Sequence, residues 1–225
     1  MLSAEAVHDQ LVDAIMPLRQ RHGLVVVGIN GMAGSGKTTL AGALVARLRH
    51  EGVEVCPVSV DDFHNSRAYR YRRGPLSPEG YYRDSINFDA FRDGVLRSAF
   101  EALHFPVSCQ TKHWDLERDM ADQRNEELAE GSVVLAEGIF LFRPELAQYM
   151  HLRIYVHADE AVIIQRVRSR DLALFGSAEA TEARYRHKYL PGERLYHAEV
   201  APADVAHFHL DNNDVGKPVL TRLLR

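Results

Sequence analysis

Apolar residues gather in five short runs along the chain, and each run is set off by helical or turn-rich segments. The first run, LVVVGI at residues 24–29, is almost entirely apolar, as in strands that are buried on both faces of a sheet. The second run, VEVCPVSV, follows a predicted helix that ends near Gly52, and the order strand, helix, strand indicates a parallel pair. The remaining runs are SVVLAEG, HLRIYVHA and VAHFHL. The whole pattern predicts a doubly wound α/β sheet.

Two segments depart from this alternation. Residues 64–84 are rich in Arg, Tyr, Gly and Pro, and they follow the carboxyl end of the second predicted strand, where ligands bind in open α/β sheets. We interpret them as a substrate loop. Residues 172–192 combine small, basic and aromatic residues after a predicted helix that carries Arg166 and Arg170 at i, i+4 spacing. This second segment is predicted to be a mobile lid.

Length, composition and charge narrow the class of protein. The chain has 225 residues, of which 46% are hydrophobic, so we expect one globular domain over residues 1–225. A formal net charge of −4 disfavours a surface for nucleic acid and makes small anions the expected partners. No apolar run approaches the roughly 20 residues needed to cross a bilayer, and acids stand near the start where a signal peptide carries basic residues. We therefore expect a cytoplasmic protein without membrane contact.

A phosphate-binding motif joins the first predicted strand to a helix. Residues 31–38, GMAGSGKT, match GxxxxGK[ST] at every fixed position in the strand-to-helix context of a P-loop. The glycines let successive backbone N–H groups point at one phosphate, and the start of the helix adds the positive end of its dipole. Lys37 would neutralise the outer phosphates, and the Thr38 hydroxyl would bind Mg²⁺. The predicted nucleotide-binding residues are Gly31, Met32, Ala33, Gly34, Ser35, Gly36, Lys37, Thr38 and Thr39.

The P-loop alone does not name a reaction, because it also serves GTP switches, motor ATPases and kinases of small molecules. A GTP switch would carry NKxD and DxxG elements, and the sequence has neither; TKHWD places one residue too many between its lysine and its aspartate. Motor ATPases usually need larger domains than this chain offers. These absences favour a small-molecule kinase.

Carboxylates follow two of the predicted strands. Asp61 and Asp62 end the second strand, where one of them can accept the proton of an attacking hydroxyl and orient that hydroxyl toward the γ-phosphate. Asp61 is our first choice for this base. Glu137 follows a buried apolar run and precedes a glycine, the position at which P-loop proteins keep a carboxylate near the water shell of the metal. We therefore predict a Mg²⁺ site formed by Thr38 and Glu137.

Six motifs in matching order resemble the uridine kinase family and its relatives, phosphoribulokinase and bacterial pantothenate kinase. The motifs are GMAGSGKTT, DDFH, YYRDSINFDAF, VVLAEGIFLF, RVRSRD and YLPGERLY, which span most of the chain. The resemblance implies ATP-dependent phosphorylation of a hydroxymethyl group. It also implies a P-loop NTPase-type three-layer sandwich with a five-stranded parallel sheet, a β-hairpin substrate insertion and a helical lid. The substrate loop and hairpin are expected at residues 62–118.

The resemblance also assigns roles to residues, with departures from the family pattern. By motif position Asp61 is the base, and His64 stands where uridine kinases have tyrosine. The hairpin reads TKHWDLERDM instead of the pyrimidine-recognition set of the family, and His113 is the candidate for its missing histidine. Pyrimidine specificity is therefore not implied.

The sugar-binding aspartate of the family has more than one candidate here. Asp84 and Asp89 both compete for this role, with Asn87 between them, and we favour Asp84. Tyrosines also interleave with arginines in segment 67–73, which favours anion or sugar binding over a merely solvated loop. The predicted substrate-contacting residues are His64, Arg67, Tyr82, Asp84 and His113.

The leading hypothesis is a kinase that uses ATP and Mg²⁺ to phosphorylate a hydroxyl of a small nucleoside-like or sugar-like acceptor. Lys37, Asp61, Arg166 and Arg170 are the predicted catalytic residues, and both arginines, with Arg184 as a third candidate, are expected to close over the transferring group. The alternative acceptors are pantothenate and a sugar phosphate. A nucleotide switch without a small acceptor is the alternative from another class, and assembly into a homo-oligomer stays open.

Overall fold

The computed structural model describes residues 3–115 and 117–223, and helices alternate with strands along them. The strands are β1 Val25–Asn30, β2 Val55–Ser59, β3 Val107–Asp115, β4 Met120–Leu128, β5 Val133–Gly138, β6 Leu152–His157, β7 Phe208–Asp211 and β8 Val219–Arg222. The α-helices are α1 Ala4–Arg21, α2 Lys37–His50, α3 Arg67–Arg70, α4 Pro78–Asp84, α5 Phe88–Phe91, α6 Arg97–Phe100, α7 Pro144–Ala147, α8 Glu160–Arg170, α9 Leu172–Phe175, α10 Ala178–Arg184 and α11 Leu190–Val200. A 3₁₀ turn at Val60–Phe63 and π-helical turns at Arg92–Leu96 and Tyr185–Tyr189 complete the helical elements. In this described part of the chain no helix is long and apolar enough to cross a membrane.

The central sheet has six strands in the order β2-β5-β1-β6-β7-β8. The first five of these strands are parallel, and β8 runs antiparallel to β7 at the edge. The predicted α/β fold with five parallel strands is therefore confirmed, and β8 is an addition whose 4 residues are too few to give a clear pattern. Since β5 lies between β1 and β2, the carboxyl ends of these three strands bring the P-loop, Glu137 and Asp61 to one edge of the sheet.

The strand that leads into the P-loop is held from both sides. All 6 residues of β1 are buried, as expected for a parallel strand covered on both faces. Val25, Val27 and Ile29 pack with α1 and α2, whereas Val26 packs with the opposite core, which contains Tyr82 of α4. This packing fixes the position from which the P-loop starts.

The insertion between β2 and β5 contains the substrate loop and a β-hairpin that is separate from the central sheet. Strands β3 and β4 pair antiparallel, with Val107 opposite Leu128. The sequence predicts the end of this insertion at residue 118, whereas the hairpin continues to Leu128. Strand β4 is polar and exposed along nearly its whole length, so no hydrophobic alternation marks it in the sequence. Cys109 is fully buried and anchors β3 on the core.

The predicted lid, residues 172–192, is helical over most of its length. It comprises α9, α10, the second π-helical turn and the start of α11. Its side chains Tyr185 and Leu190 form a small apolar core with Ile163 and Val167 of α8. The lid is therefore supported by the same helix that carries both predicted lid arginines.

Candidate active site

The P-loop is a tight turn between β1 and α2 that requires glycine. Gly34 and Gly36 have φ values of 89° and 102°, in the left-handed region that other residues rarely adopt. A Cβ atom on Gly36 would also overlap the side-chain amide of Asn212. Helix α2 begins at Lys37 without a side-chain cap, so no side chain occupies the backbone donors of its first turn. The loop therefore offers backbone N–H groups and a helix dipole to an anion, as the sequence predicts.

Arg166 braces the P-loop through its backbone. One Nη atom donates to the carbonyl oxygens of Gly34 and Ser35, both at 3.3 Å, and the other donates to the Asn212 carbonyl at 2.6 Å. The Asn212 side chain in turn donates to the Ser35 carbonyl at 2.7 Å. The sequence predicts that Arg166 closes over the transferring group, whereas the structure directs its guanidinium at backbone carbonyls. Helical spacing cannot reveal this difference, since Asn212 is remote in the sequence.

Two cavities meet beside the P-loop. The first, of about 290 Å³, is lined by the loop, by α2 and by the segment that follows β7. The second, of about 330 Å³, is lined by Asp61 and by side chains of the substrate loop and the lid. Lys37, Thr38 and Arg170 line both cavities. A phosphate held at Lys37 would thus be reached from two sides.

Arg170 lies at the junction of the two cavities. Its Nε and Nη2 atoms donate to the Asp171 carboxylate at 2.6 and 2.8 Å, and Nη2 also donates to the Tyr185 hydroxyl at 2.9 Å. The side chain is 53% exposed, so it is not enclosed by these partners. This position supports the predicted role of Arg170 beside a transferring phosphate. Arg184, the third candidate, stacks on the ring of Phe175.

Thr38 and Glu137 bring two oxygen donors together at the edge of the sheet. The Thr38 hydroxyl lies 3.3 Å from a carboxylate oxygen of Glu137. Burial raises the pKa of Glu137, while the charge of Lys37 opposes that rise. Within residues 3–115 and 117–223, no group of three or more His, Cys, Asp or Glu side chains could hold a metal ion. Mg²⁺ would therefore need this hydroxyl and carboxylate together with phosphate oxygens and water, which fits the predicted pair.

The 3₁₀ turn after β2 gives its two aspartates different neighbours. Asp61 lines the second cavity, and its backbone N–H donates to the Ser59 hydroxyl at 3.3 Å. Asp62 accepts a hydrogen bond from the backbone N–H of Trp114, and its carboxylate lies 3.2 Å from Nδ1 of His113. Asp62 thus fastens the hairpin to the sheet, which leaves Asp61 as the carboxylate that faces the second cavity.

One of two neighbouring tyrosines lines the second cavity, and it is not the predicted one. Tyr82 is buried, its hydroxyl donates to Glu199 at 3.0 Å, and the Arg143 guanidinium lies 4.3 Å from its ring centre. Tyr81 lines the cavity instead, and His64, a predicted substrate-contacting residue, lines it as well. Burial lowers the pKa of His64, so this ring is neutral at pH 7.

Asp84, the favoured sugar ligand, lies outside the second cavity. Its side chain is 1% exposed and pairs with Arg72 and Arg73 at 2.6 and 2.8 Å. Burial alone would raise the pKa of Asp84, but the hydrogen bonds from the two arginines outweigh burial and lower the pKa. Asn87 caps α5, and Asp89 pairs with the next arginine along the chain. The structure therefore makes Asp84 an organiser of the arginine-rich substrate loop.

Arg67 and His113 do not line the second cavity either. The side chain of His113 is 71% exposed and lines a separate cavity between β2 and the hairpin. The backbone N–H of Arg67 donates to both carboxylate oxygens of Asp119 at 2.9 and 2.8 Å. Arg70 and Tyr71, one turn further along the same segment, do line the cavity. The arginine-rich segment thus contacts the cavity through Arg70 and Tyr71, whereas the sequence suggests Arg67.

Lys188 and Glu193 lie at the site and are not among the residues that the sequence predicts there. Both are buried, Lys188 against the second cavity and Glu193 beneath the P-loop. Glu193 lies within the motif YLPGERLY and Lys188 directly precedes it, so this motif is the sequence feature that could indicate them. The π-helical turn Tyr185–Tyr189 adds one residue to a helical turn, and a helical period of 3.6 therefore assigns the wrong faces here.

Glu193 links α11 to the P-loop. Its side chain is 2% exposed, the Tyr81 hydroxyl donates to it at 3.4 Å, and the backbone N–H of Ala33 donates to it as well. Burial raises the pKa of Glu193 to about 8, although Lys37 and the hydrogen bonds oppose that rise. The carboxyl group is therefore mainly protonated at neutral pH.

The wild-type protein should lose stability as pH rises through the titration of Glu193, and replacing Glu193 by glutamine should prevent that loss. The folded protein binds one more proton than the unfolded chain between the ordinary Glu value of 4.5 and about 8, so the free energy of unfolding falls across this window. One such group contributes a slope of up to about 1.4 kcal/mol per pH unit. The free energy of unfolding of Glu193→Gln should equal that of the wild type near the acid end of the window and exceed it near the alkaline end. Denaturant unfolding at several pH values measures this difference. Parallel pH profiles for the two proteins would contradict the raised pKa.

Comparisons with known proteins match both the sequence and the fold. A family model described as "Phosphoribulokinase / Uridine kinase family" matches residues 26–187. A uridine kinase of Deinococcus deserti is 29% identical over 160 residues, which are 65% of this chain and 68% of that protein. The structure of a possible uridine kinase from Bacillus stearothermophilus has a TM-score of 0.66 and 25% identity, and covers 89% of this chain and 98% of that chain. A D-glycerate 3-kinase from Cryptococcus neoformans has a TM-score of 0.68 at 14% identity, covers 96% of this chain and 99% of that one, and shows likeness of fold alone.

Proposed function

The chain belongs to the phosphoribulokinase / uridine kinase family and is a P-loop kinase, and we propose that it transfers the γ-phosphoryl group of ATP to a hydroxyl of a small nucleoside-like or sugar-like acceptor. The observation that carries this proposal is the meeting of two cavities at Lys37, Thr38 and Arg170. Phosphoryl transfer needs the attacking and the leaving oxygen on opposite sides of the phosphorus, and two cavities that meet at one phosphate position suit that requirement.

The donor side of the proposal is the P-loop with the first cavity. The triphosphate of ATP would lie against the backbone donors of the loop, with the nucleoside in the first cavity. Lys37 makes no ion pair with any residue in the described ranges, so its charge is available to a phosphate. Bound Mg²⁺, held through Thr38 and Glu137, would supply further neutralisation of phosphate charge.

The acceptor side of the proposal is the second cavity with Asp61. The acceptor hydroxyl oxygen forms a bond to the γ-phosphorus, the bond from that phosphorus to the bridging oxygen of ADP breaks, and the hydroxyl proton passes to the Asp61 carboxylate. Arg170 would offset charge on the transferring group. Phe175, Tyr185 and Tyr189 of the lid line the same cavity and would exclude water that competes with the acceptor.

The second cavity also distinguishes between classes of acceptor. His113, the substitute for a pyrimidine-reading residue, lies outside it, which gives no support to uridine as the acceptor. Two cationic side chains, Arg70 and Lys188, line it and favour the second candidate class, pantothenate or a sugar phosphate. A nucleotide switch would account for the first cavity but would leave Asp61 and the second cavity without a role.

ATP consumption should depend on an added acceptor. A screen would supply nucleosides, free sugars, sugar phosphates, hydroxy acids and pantothenate, with ADP release as the readout and mass spectrometry to identify the phosphorylated product. The reaction without acceptor measures hydrolysis and serves as the control. We expect ADP release to rise well above that control for one acceptor class only. A slow rate that is the same with every compound would instead indicate a nucleotide switch.

A further inference from the structure

Two cationic side chains, Lys188 and Arg70, line the second cavity and are largely shielded from solvent. Lys188 is 6% exposed, and the side chain of Arg70 is 10% exposed. Lys188 comes from the lid and Arg70 from the substrate loop, so the cavity brings together charges from two separate elements. Neither residue lines the first cavity, where the nucleotide is expected. This cationic pair therefore belongs to the acceptor side.

The positive charges of this pair are incompletely balanced by the protein. Lys188 makes no ion pair with a carboxylate in the described ranges, and its ammonium lies 4.9 Å from the ring centre of Tyr71 and 5.4 Å from that of Tyr189. Arg70 donates through Nη2 to Asp119 at 3.1 Å, but its Nε is buried without a hydrogen-bond partner. Buried cations without a counter-charge are costly, and a polar group left unsatisfied points to a missing partner.

The carboxylates that line the cavity do not supply this partner. Asp171 is engaged by Arg170 at 2.6 Å and by the Tyr185 hydroxyl at 2.8 Å. Asp61 also lines the cavity, but among the described residues it forms no ion pair with Lys188 or Arg70. Burial, together with the charges of Arg184 and Arg70, lowers the pKa of Lys188 to about 8, as expected for a cation among cations.

We propose that the cationic pair of Lys188 and Arg70 in the second cavity binds an anionic group of the hydroxyl acceptor, either a carboxylate or a phosphate. The inference rests on the proposed kinase function and narrows its acceptor class. The acceptor is then a hydroxy acid or a phosphorylated polyol, with its anionic group at Lys188 and Arg70 and its reacting hydroxyl at Asp61. An anion here supplies the absent counter-charge, and an oxygen that accepts from Arg70 satisfies its buried Nε.

Pairs of acceptors that differ in charge test this inference. D-glycerate is compared with glycerol, D-ribose 5-phosphate with D-ribose, and pantothenate with panthenol, with uridine as the neutral nucleoside. These pairs also separate a carboxylate from a phosphate as the anionic group. In the productive pair we expect kcat/KM for the anionic member to exceed that of the neutral member by about 100-fold, the effect of losing contacts to charged donors. Equal or higher kcat/KM for the neutral members, or turnover of uridine alone, would overturn the inference and leave the kinase function standing.

Substitution of Lys188 supplies the second arm of the test. Lys188→Met removes an uncompensated buried charge, so the variant should fold, and thermal unfolding checks this. We expect KM for the anionic acceptor to rise about 10- to 100-fold with KM for ATP unchanged, and Lys188→Arg to recover part of the loss. Arg186→Met is the matched control. It removes one positive charge from the same π-helical turn, but the Arg186 side chain pairs with Glu182 outside the cavity. An unchanged acceptor KM in Lys188→Met would overturn the inference.

A binding measurement separates the two proposals. Titration calorimetry of the same anionic probes, with ADP present, reports the anion site without requiring turnover. Binding that is lost in Lys188→Met and kept in Arg186→Met, with no phosphorylated product from any probe, would support the anion site and contradict the kinase function. If none of the anionic probes shows binding that depends on Lys188, the anion site is wrong whatever the turnover screen finds.

Discussion

Replacing Lys37 by alanine should nearly abolish turnover and weaken ATP binding. Lys37 is 7% exposed at the start of α2, and its side chain lines both cavities. No other lysine in the described ranges lines both cavities, so the variant leaves phosphate charge uncompensated at the point of transfer. We expect kcat/KM to fall at least about 1,000-fold, in line with the loss of a cation that stabilises a transferring phosphoryl group. Steady-state kinetics with the acceptor found in the screen, and calorimetry with ATP, measure the two effects.

Lys112→Ala is the matched control for this experiment. It makes the same chemical change on the hairpin, where the Lys112 ammonium lies over the ring of Phe63 and outside both cavities. The control should keep nearly wild-type turnover. Wild-type activity in Lys37→Ala would contradict the assignment of the P-loop as the phosphate site.

Replacing Asp61 by asparagine should reduce phosphoryl transfer by about two to four orders of magnitude, with ATP affinity largely kept. Asparagine keeps the shape of the side chain and removes its capacity to accept a proton. Asp61 lines the cavity on the acceptor side, whereas its neighbour Asp62 is engaged by the hairpin at Trp114 and His113. Asp62→Asn retains an oxygen that can accept the Trp114 N–H, so we expect a fall of less than about tenfold.

Single-turnover transfer assays and ATP calorimetry on both variants measure this difference. The single-turnover rate reports the chemical step, and calorimetry shows whether the donor site is intact. A larger loss in Asp62→Asn than in Asp61→Asn would shift the base by one position. Normal transfer in both variants would contradict base catalysis from this turn.

The parts of the fold with local signals could be predicted from the sequence. The P-loop is eight consecutive residues whose glycines, lysine and threonine act where they stand, so the motif places them without knowledge of the rest. Strand β1 is buried on both faces and therefore appears as a run of apolar residues. Strand β4 lies on an exposed hairpin, and its polar residues give no comparable pattern.

The direction of individual side chains could not be predicted, because it depends on distant parts of the chain. Tyr81 and Tyr82 are adjacent on one helix, and only the packing of α4 against α11 decides which of them reaches the cavity. Arg166 and Arg170 are one turn apart, and the loop after β7 engages the first of them. Lys188 faces the cavity because it lies in a π-helical turn, which the residue pattern does not predict.

The contacts of Arg166 and Asn212 with the P-loop determine when the nucleotide site is completed during synthesis of the chain. The ribosome makes residues 31–38 early, but the carbonyls of Gly34 and Ser35 accept hydrogen bonds from Arg166 and Asn212, which are made much later. Asn212 follows β7 and lies beyond residue 187, where the family match ends. Nascent chains fold from the N-terminus as they emerge, so a chain stalled before β7 carries the complete P-loop sequence and Arg166 but lacks Asn212, which completes the brace. The nucleotide site is therefore completed late in translation, when the last parallel strand joins the sheet.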